Sequence, residues 1–453
     1  MSYDGEPCQE LSGNSKEHII PRTASVERHP RALQMEREFN FDKKVADLSC
    51  KDEAYLHSLD LEGAHQQFFN NVPTVRHYTD FSFLKNNIRM YAIRRLIDQG
   101  KIKLYSFDSN ASMTNLKINS KETSLVPRQG AFVLSLPGNV EIILFLDVYP
   151  SSVAWKYTGL SYEDFTTFEK LLEEDIKTDN LYFNKVFTQT GEFIELPQVT
   201  FNDIYLVQSL RKEIQTNIIN FFDPKLRELK KKNGLPSKRG IIFAGEPGTG
   251  KTFLSRVLAG ALDSTFMIVT KLYDASELTH YMDFMKQFPN AAILFEDIDI
   301  YVPDRNSGSP IVSALLNSLD GIAPNENILV LCTTNELKVL DRAIKDRPGR
   351  FDRTLKFNAP DAELKTIMLK GFCNNHDCTN IDFDAIIGKV PAAHTGAHLK
   401  EIYITAVTLA LEANSYDANG MALLSTEIFI NALMATQRPS DTKKMGFKRE
   451  DRD

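Results

Sequence analysis

An α/β architecture is predicted for this chain: a parallel sheet with crossover helices, preceded by a smaller α+β domain and followed by a helical lid. Three observations carry that expectation. Apolar strand-like runs alternate with helix-like segments from about residue 198 to about 360. A glycine-rich turn joins one such run to the helix after it. From 361 to 437 the apolar residues recur at helical spacing. At 453 residues the chain is about three times the usual ~150-residue domain, so more than one core is expected.

Composition narrows the class. A hydrophobic fraction of 42% with 25% charged residues is ordinary for a globular protein and argues against a wholly disordered chain. The net charge of -7 and pI near 5.8 set the whole-chain field against polyanions and disfavour a general nucleic-acid coat. Five scattered cysteines, Cys8, Cys50, Cys332, Cys373 and Cys378, do not read as a disulfide framework, which favours a reducing compartment. The most apolar stretch, 131–149, is broken by Pro137, Gly138, Glu141 and Asp147. It therefore falls short of the ~20-residue apolar run of a membrane helix. The first residues lack the basic and apolar regions of a secretory signal, and a cytoplasmic address is expected.

Along the chain, 1–60 is polar and breaker-rich and reads as a disordered arm. The next domain, 61–197, is expected to choose a substrate or partner. Phe81, Leu84, Ile88, Tyr91 and Leu96 recur at helical spacing and stop at Gly100, a suitable C-cap. Strand-like runs follow at 101–107, 131–136 and 141–148. A helix then opens at Ser161, with Phe165, Phe168, Leu171 and Leu172 on one face. The run 185–196 reads as a hairpin turning at Thr190 and Gly191. A single helix over 202–232 is expected next, its terminal Lys230, Lys231 and Lys232 complementing the helix dipole before an Asn233-Gly234 cap. The α/β subdomain spans 198–360, the lid 361–437, and a charged tail 438–453.

The chemistry begins at Gly245-Glu246-Pro247-Gly248-Thr249-Gly250-Lys251-Thr252, with Phe253 opening the following helix. Glycines let backbone N–H groups curl around phosphate, a lysine reaches the β- and γ-oxygens, and a hydroxyl binds magnesium. This is the Walker A pattern of a P-loop NTPase, so ATP and Mg2+ are the expected cofactors. A second apolar strand ends in Glu296, Asp297 and Asp299, the place for carboxylates that meet magnesium and an attacking water, as a Walker B motif does. Buried strands seldom end in three acids for packing reasons, because unpaired carboxylates are costly to bury. Expected metal contacts are Thr252, Glu296 and Asp297. A third strand runs into Asn335, whose amide can hold the hydrolytic water or merely start a turn. Arg347 and Arg350 flank a Pro348-Gly349 turn and are candidates for stabilising transition-state charge; for any single arginine, surface solvation is the bland alternative.

These linked motifs, in this order, resemble the AAA family of AAA+ ATPases over roughly 199–437. Within it, Gly234-Leu-Pro-Ser-Lys-Arg-Gly240, Leu294-Phe-Glu-Asp-Ile-Asp299 and Ala314-Leu-Leu-Asn-Ser-Leu-Asp-Gly321 are most similar to the mitochondrial Rieske-protein translocase branch. The resemblance implies a large α/β subdomain with a helical lid, Asn335 as first sensor, and Arg347 and Arg350 as fingers entering a neighbouring subunit. It also implies that the segment from His394, with Gly396 and Ala397, lies near base and ribose. His398 stands where the family usually carries an acid. The order Glu296-Asp297 also inverts the commoner Asp-Glu, as the translocase branch does, and leaves Asp297 one methylene short as base; slow hydrolysis is the expectation.

Fingers acting in trans imply a homo-oligomeric ring; a hexamer is the family expectation and a heptamer occurs in the translocase branch. The loop 271–276 lacks the aromatic-aliphatic-glycine triplet that grips clients in many ring unfoldases, and Tyr273 reads more readily as a packing residue than as its substitute. No His-Glu-x-x-His occurs, which excludes a metalloprotease of the family. Cys373, His376 and Cys378 lie close together without a matching second pair for zinc. The leading expectation is an ATP-driven ring that remodels or disassembles a protein or complex. The alternatives are a slow nucleotide-dependent scaffold or switch and, less favoured, a nucleic-acid-stimulated motor.

Overall fold

Two helices laid on an antiparallel sheet build the first of two units. The computed structural model describes residues 75–106, 112–149, 152–159, 161–301, 310–321, 327–337 and 351–437. The expected arm 1–60, the tail 438–453, Cys8, Cys50, Arg347 and Arg350 lie outside the described residues. The chain divides after Asp179 rather than after Pro197, the boundary that its grammar suggested.

In the first unit, β1 (Val75–Ser82) leads into α1 (Phe83–Asp98), then β2 (Lys103–Ser106), β3 (Ser112–Lys117), β4 (Thr123–Leu136), β5 (Val140–Val148), β6 (Ser152–Gly159) and α2 (Tyr162–Thr178). The sheet order is β1-β6-β5-β4-β2, with β3 beside β4. The Ser82 side chain caps α1, and Gly100, at φ +69°, follows its end as the spacing predicts. Ser161 and Asp164 form a reciprocal capping box at the start of α2. Ile93 and Leu96 of α1 and Phe165, Phe168 and Leu172 of α2 bury against Phe132, Leu144 and Trp155 of the sheet. Arg89 is held at 2.6 Å from Glu169, 3.0 Å from the Tyr157 hydroxyl and 4.7 Å above the Trp155 ring. That network joins both helices to β6, and removing Glu169 would deprive the buried Arg89 guanidinium of this anionic partner.

The second unit starts with β7 (Val186–Thr188). The expected turn at Gly191 forms, with Gly191 N–H donating to the Thr188 carbonyl, and Phe187 bridges Phe193. The strand itself does not belong with the preceding domain: it pairs in parallel with β9 at the edge of the second sheet. The helix expected over 202–232 is also broken. A 3-10 turn at Phe201–Asp203 precedes α3 (Gln208–Asn217), a second lies at Ile219–Phe222, and α4 covers Pro224–Lys232. Proline has no N–H to continue a helix, so Pro224 starts a new one, with Asp223 as its cap. The lysine-rich end of α4 closes as read, with Gly234 at φ +69° and Leu235 N–H on the Lys230 carbonyl.

Then come β8 (Lys238–Gly245), α5 (Lys251–Ala261), β9 (Thr265–Val269), α6 (Ala275–Met285), β10 (Ala291–Phe295), a 3-10 turn (Ile298–Tyr301), α7 (Pro310–Asp320), β11 (Ile328–Thr334) and β12 (Arg353–Phe357). The order β12-β8-β11-β10-β9-β7 is parallel at every pairing. Every residue of β9, β10 and β11 is buried, as crossover helices on both faces require. The lid is α8 (Ala362–Phe372), α9 (Phe383–Ile387), α10 (Gly396–Glu412) and α11 (Thr426–Gln437), closed around Leu369, Leu399, Ile402 and Phe429. The α/β fold of a P-loop NTPase with a helical C-terminal region is thus present. Among the described residues, no helix is long and apolar enough to cross a membrane.

Candidate functional site

Parallel strands deliver their carboxyl ends to one edge of the sheet, and three of them meet there. β8 runs out at Gly245, and the loop turns through Gly248 (φ +79°) and Gly250 (φ +94°), conformations that favour glycine, before α5 begins at Lys251. Lys251 is only 5% exposed. Its ammonium donates to the carbonyls of Gly245 at 2.6 Å and Glu246 at 3.0 Å and to Asn335 Oδ1 at 2.9 Å. Burial lowers its pKa, opposed by Asp297 and Asp299. Thr252 and Phe253 stand exposed on the first turn of α5.

β10 and β11 bring the remaining groups. Asp297 sits at φ +49°, uncommon outside glycine, and its N–H donates to Thr333 Oγ1 at 2.8 Å. Asn335 bridges the two loops: its Oδ1 accepts from Lys251, and its Nδ2 donates to Asp297 Oδ1 at 3.2 Å. Asn335 N–H in turn donates to Asp299 Oδ1 at 3.0 Å. Lys251, Asn335 and Asp297 are therefore one hydrogen-bonded cluster, with Asp299 behind it. Glu296 stands outside the cluster. Its Oε1 is buried without a hydrogen-bond partner, and burial raises its pKa, with Arg256 opposing and Asp297 adding. An orphaned buried carboxylate oxygen beside a second acid suits a divalent cation, so the residues fit Mg2+.

The lid reaches the same loop through the start of α10. Ala397 N–H donates to the Gly248 carbonyl at 3.2 Å, and a Cβ on Gly248 would fall 2.8 Å from both the Ala397 Cβ and Thr395 Oγ1. Gly396 is similarly tight, since its Cβ would meet Met368 of α8 at 2.7 Å. The His394 ring stacks on His398 with centroids 4.6 Å apart. Gly245 through Thr252, Asp297, Asn335, Gly396 and Ala397 converge; Phe253 and Glu296 border them, and His394 lies one turn away with its Nδ1 buried and unpartnered.

Sequence reasoning assigned no role to Thr333, Arg256 or Tyr205, and it read Asp299 as one of three strand-end acids without seeing that it would accept the Asn335 N–H. Tyr205 lies so close over Gly371 that a Cβ there would be 1.8 Å from its hydroxyl, which seats the lid on the 201–205 turn. Arg211 holds that turn through the carbonyls of Phe201 and Ile204. One other reading changes: Tyr273 is not a packing residue but is 74% exposed, with Lys271 Nζ 4.6 Å over its ring. His376 commits both ring nitrogens, to the Ala422 carbonyl and the Tyr403 hydroxyl, each at 3.0 Å. Among the described residues no group of three His, Cys, Asp or Glu side chains is arranged to hold a metal ion.

Residues 241–359 match the family described as ATPase family associated with various cellular activities (AAA). Among similar proteins are the ribosome biogenesis ATPase RIX7 of Saccharomyces cerevisiae, 26% identical over 68% of this chain and 38% of that protein. The ATP-dependent zinc metalloprotease FtsH 2 of Thermoanaerobacter sp. is 31% identical over 49% of each. The proteasome-activating nucleotidase of Pyrococcus abyssi is 30% identical over 49% of this chain and 59% of that protein. The chain thus spans less than two thirds of each relative's length. Residues 241–359 are thus similar to an AAA-family ATPase domain; at the family level such domains hydrolyse ATP with Mg2+ and assemble into rings.

Proposed function

We propose that this chain is a Mg-ATP-hydrolysing AAA+ ring ATPase that remodels or disassembles a protein or protein complex chosen by its N-terminal domain. The observation that carries the reading is the cluster of Lys251, Asn335 and Asp297, which brings a phosphate-loop lysine, a polar sensor and a carboxylate base within 3.2 Å contacts. Lys251 meets the β- and γ-phosphate oxygens when these replace its contacts with the loop carbonyls. Asn335 orients the attacking water, and Asp297 takes its proton. Thr252, Glu296 and Asp297 would hold Mg2+, which supplies charge neutralisation at the transferring phosphoryl group. His394, Gly396 and Ala397 border the nucleoside side.

The Glu296-Asp297 order favours kinship with the Rieske-protein translocase branch and a low turnover, because the shorter base must meet its water closer to the strand. Arg347 and Arg350 are assigned to the neighbouring subunit's site, and a hexameric or heptameric homo-oligomer follows from that assignment. Tyr273, exposed beside Lys271, is the group best suited to touch a client. A protein rather than nucleic-acid client agrees with the net charge of -7, and a cytoplasmic address agrees with the five scattered cysteines. The test is ATP turnover by wild type, Asp297→Asn and Arg350→Ala, with unfolded protein, DNA and RNA as effectors. Turnover lost in both variants with nucleotide binding kept supports the reading. Unchanged turnover in Asp297→Asn, or stimulation by DNA alone, defeats it.

A further inference from the structure

His398 occupies the position where the family resemblance leads one to expect an acid, and its contacts identify what it does there. Its Nδ1 lies 3.1 Å from Thr395 N and 2.9 Å from Thr395 Oγ1. A backbone N–H can only donate, so Nδ1 is an acceptor, the imidazole is neutral, and its proton is on Nε2. This is a capping box with an imidazole in place of the usual Glu or Gln at the third helical position. The turn it closes is the one that docks on the phosphate loop through Ala397 and Gly248. A carboxylate keeps accepting throughout the neutral and mildly acidic range, whereas an imidazole stops once Nδ1 is protonated.

We infer that neutral His398 is a positioning residue that holds the lid helix against the phosphate loop, so that acidification through the imidazole range releases this contact and weakens nucleotide binding. The inference rests on the nucleotide-binding reading of the loop. Several groups pack around this turn. His394 is stacked on it at an interplanar angle of 17°. From α8, Lys365 reaches the same turn, donating to the carbonyls of Pro391 and Ala392. From α11, Thr436 and Gln437 line a pocket together with His394, His398 and Glu401 and are uncharged. From the phosphate loop, the contact on this turn is the Gly248 carbonyl, which accepts from Ala397 N–H. Glu401, one turn along α10, opposes them but is exposed and screened. Burial, with His398 and Lys365 adding, lowers the pKa of the His394 imidazole. The folded state therefore binds fewer protons there than the unfolded chain, and stability is lost as pH falls.

The test uses the full chain and a fluorescent ADP analogue between about pH 7.5 and about pH 5.5, across the imidazole range. Loss of a cap of usual strength should weaken wild-type binding by roughly three- to thirtyfold over that interval. His398→Asp restores the acid; it should bind as wild type does near pH 7.5 and escape the acid loss, while carrying the same titration of the ligand. His398→Ala should bind weakly at both ends. Hydrogen exchange of the 393–399 segment without nucleotide, corrected for intrinsic rates, should rise on acidification in wild type and not in His398→Asp. An acid loss of equal size in His398→Asp, or unchanged protection of that segment in wild type, overturns the inference. Absence of ADP binding at every pH defeats the nucleotide reading itself, while the exchange measurement still decides the cap.

Discussion

Asp299→Ala isolates how the second strand end controls the sensor. Asp299 Oδ1 accepts the Asn335 N–H at 3.0 Å, and Asn335 then divides its amide between Lys251 and Asp297. Hydrogen bonds to a charged acceptor are worth about 1.5–3 kcal/mol. Both residues are half-buried, so water recovers part of that and about 1.5–2 kcal/mol is the fair figure. Transmitted into the placement of Asn335, it lowers kcat by about ten- to thirtyfold. ATP affinity should change less than about threefold, because the Lys251 contacts with the loop carbonyls do not involve Asp299. Asp299→Asn keeps an acceptor and should retain most of the rate. Steady-state turnover and equilibrium binding of a fluorescent ATP analogue read the two effects separately. The decisive control is Asn335→Ala: Asp299→Ala added to it should cost little more, since the side chain it positions is gone. Losses that multiply in the double variant, or an Asp299→Asn as slow as Asp299→Ala, would refute the relay.

Three further outcomes are expected. Asp297→Asn should lose at least about a hundredfold in turnover while keeping ATP binding; because Asn tolerates the φ of +49° at this position, its melting temperature should stay close to wild type. Gly248→Ala must adopt φ +79° at a cost of about 1–2 kcal/mol and displace Ala397 and Thr395 as well, so nucleotide affinity should drop at least about tenfold; a normal titration would speak against the docking described. Burial raises the Glu296 pKa, so the folded chain keeps that proton longer than the unfolded one, and the nucleotide-free protein loses stability as pH rises above about 4.3. Glu296→Gln should flatten this trend in thermal melts taken at rising pH from about 4.3, and an unaltered slope would contradict the assignment.

The phosphate loop was legible because its chemistry is local: glycines, a lysine and a hydroxyl at set spacing between a strand and a helix. The acid-tipped strand and Asn335 were legible for the same reason, each being a short run with one polar end. The segment 202–232 misled because helical periodicity persists across Pro224, where the break depends on one missing N–H, and because the non-helical stretch 204–207 carries no breaker residue. The run 185–196 misled differently: its turn formed as expected, but which sheet a short apolar strand joins is decided by partners far along the chain, here β9. Tyr273 was misread as a packing residue because exposure is set by tertiary surroundings that a short loop sequence does not encode.

The amino-acid sequence by itself determined which chemistry is present, because bond-forming groups in a tight loop need only their immediate neighbours to be arranged. It also determined the parallel sheet, through apolar runs too continuous for a half-solvated strand. Tertiary structure alone decided how those groups act together. Asn335 touches Lys251 and Asp297 because separate strands end side by side. The lid helix meets Gly248 because no Cβ stands between them. His398 does the capping work of an acid because the turn before α10 aims a backbone N–H at its ring. The first two depend on distances between residues remote in the chain, which burial of the shared core fixes and local pattern does not encode; the Thr395–His398 contact spans only three residues, and tertiary structure decides only that its turn docks on Gly248.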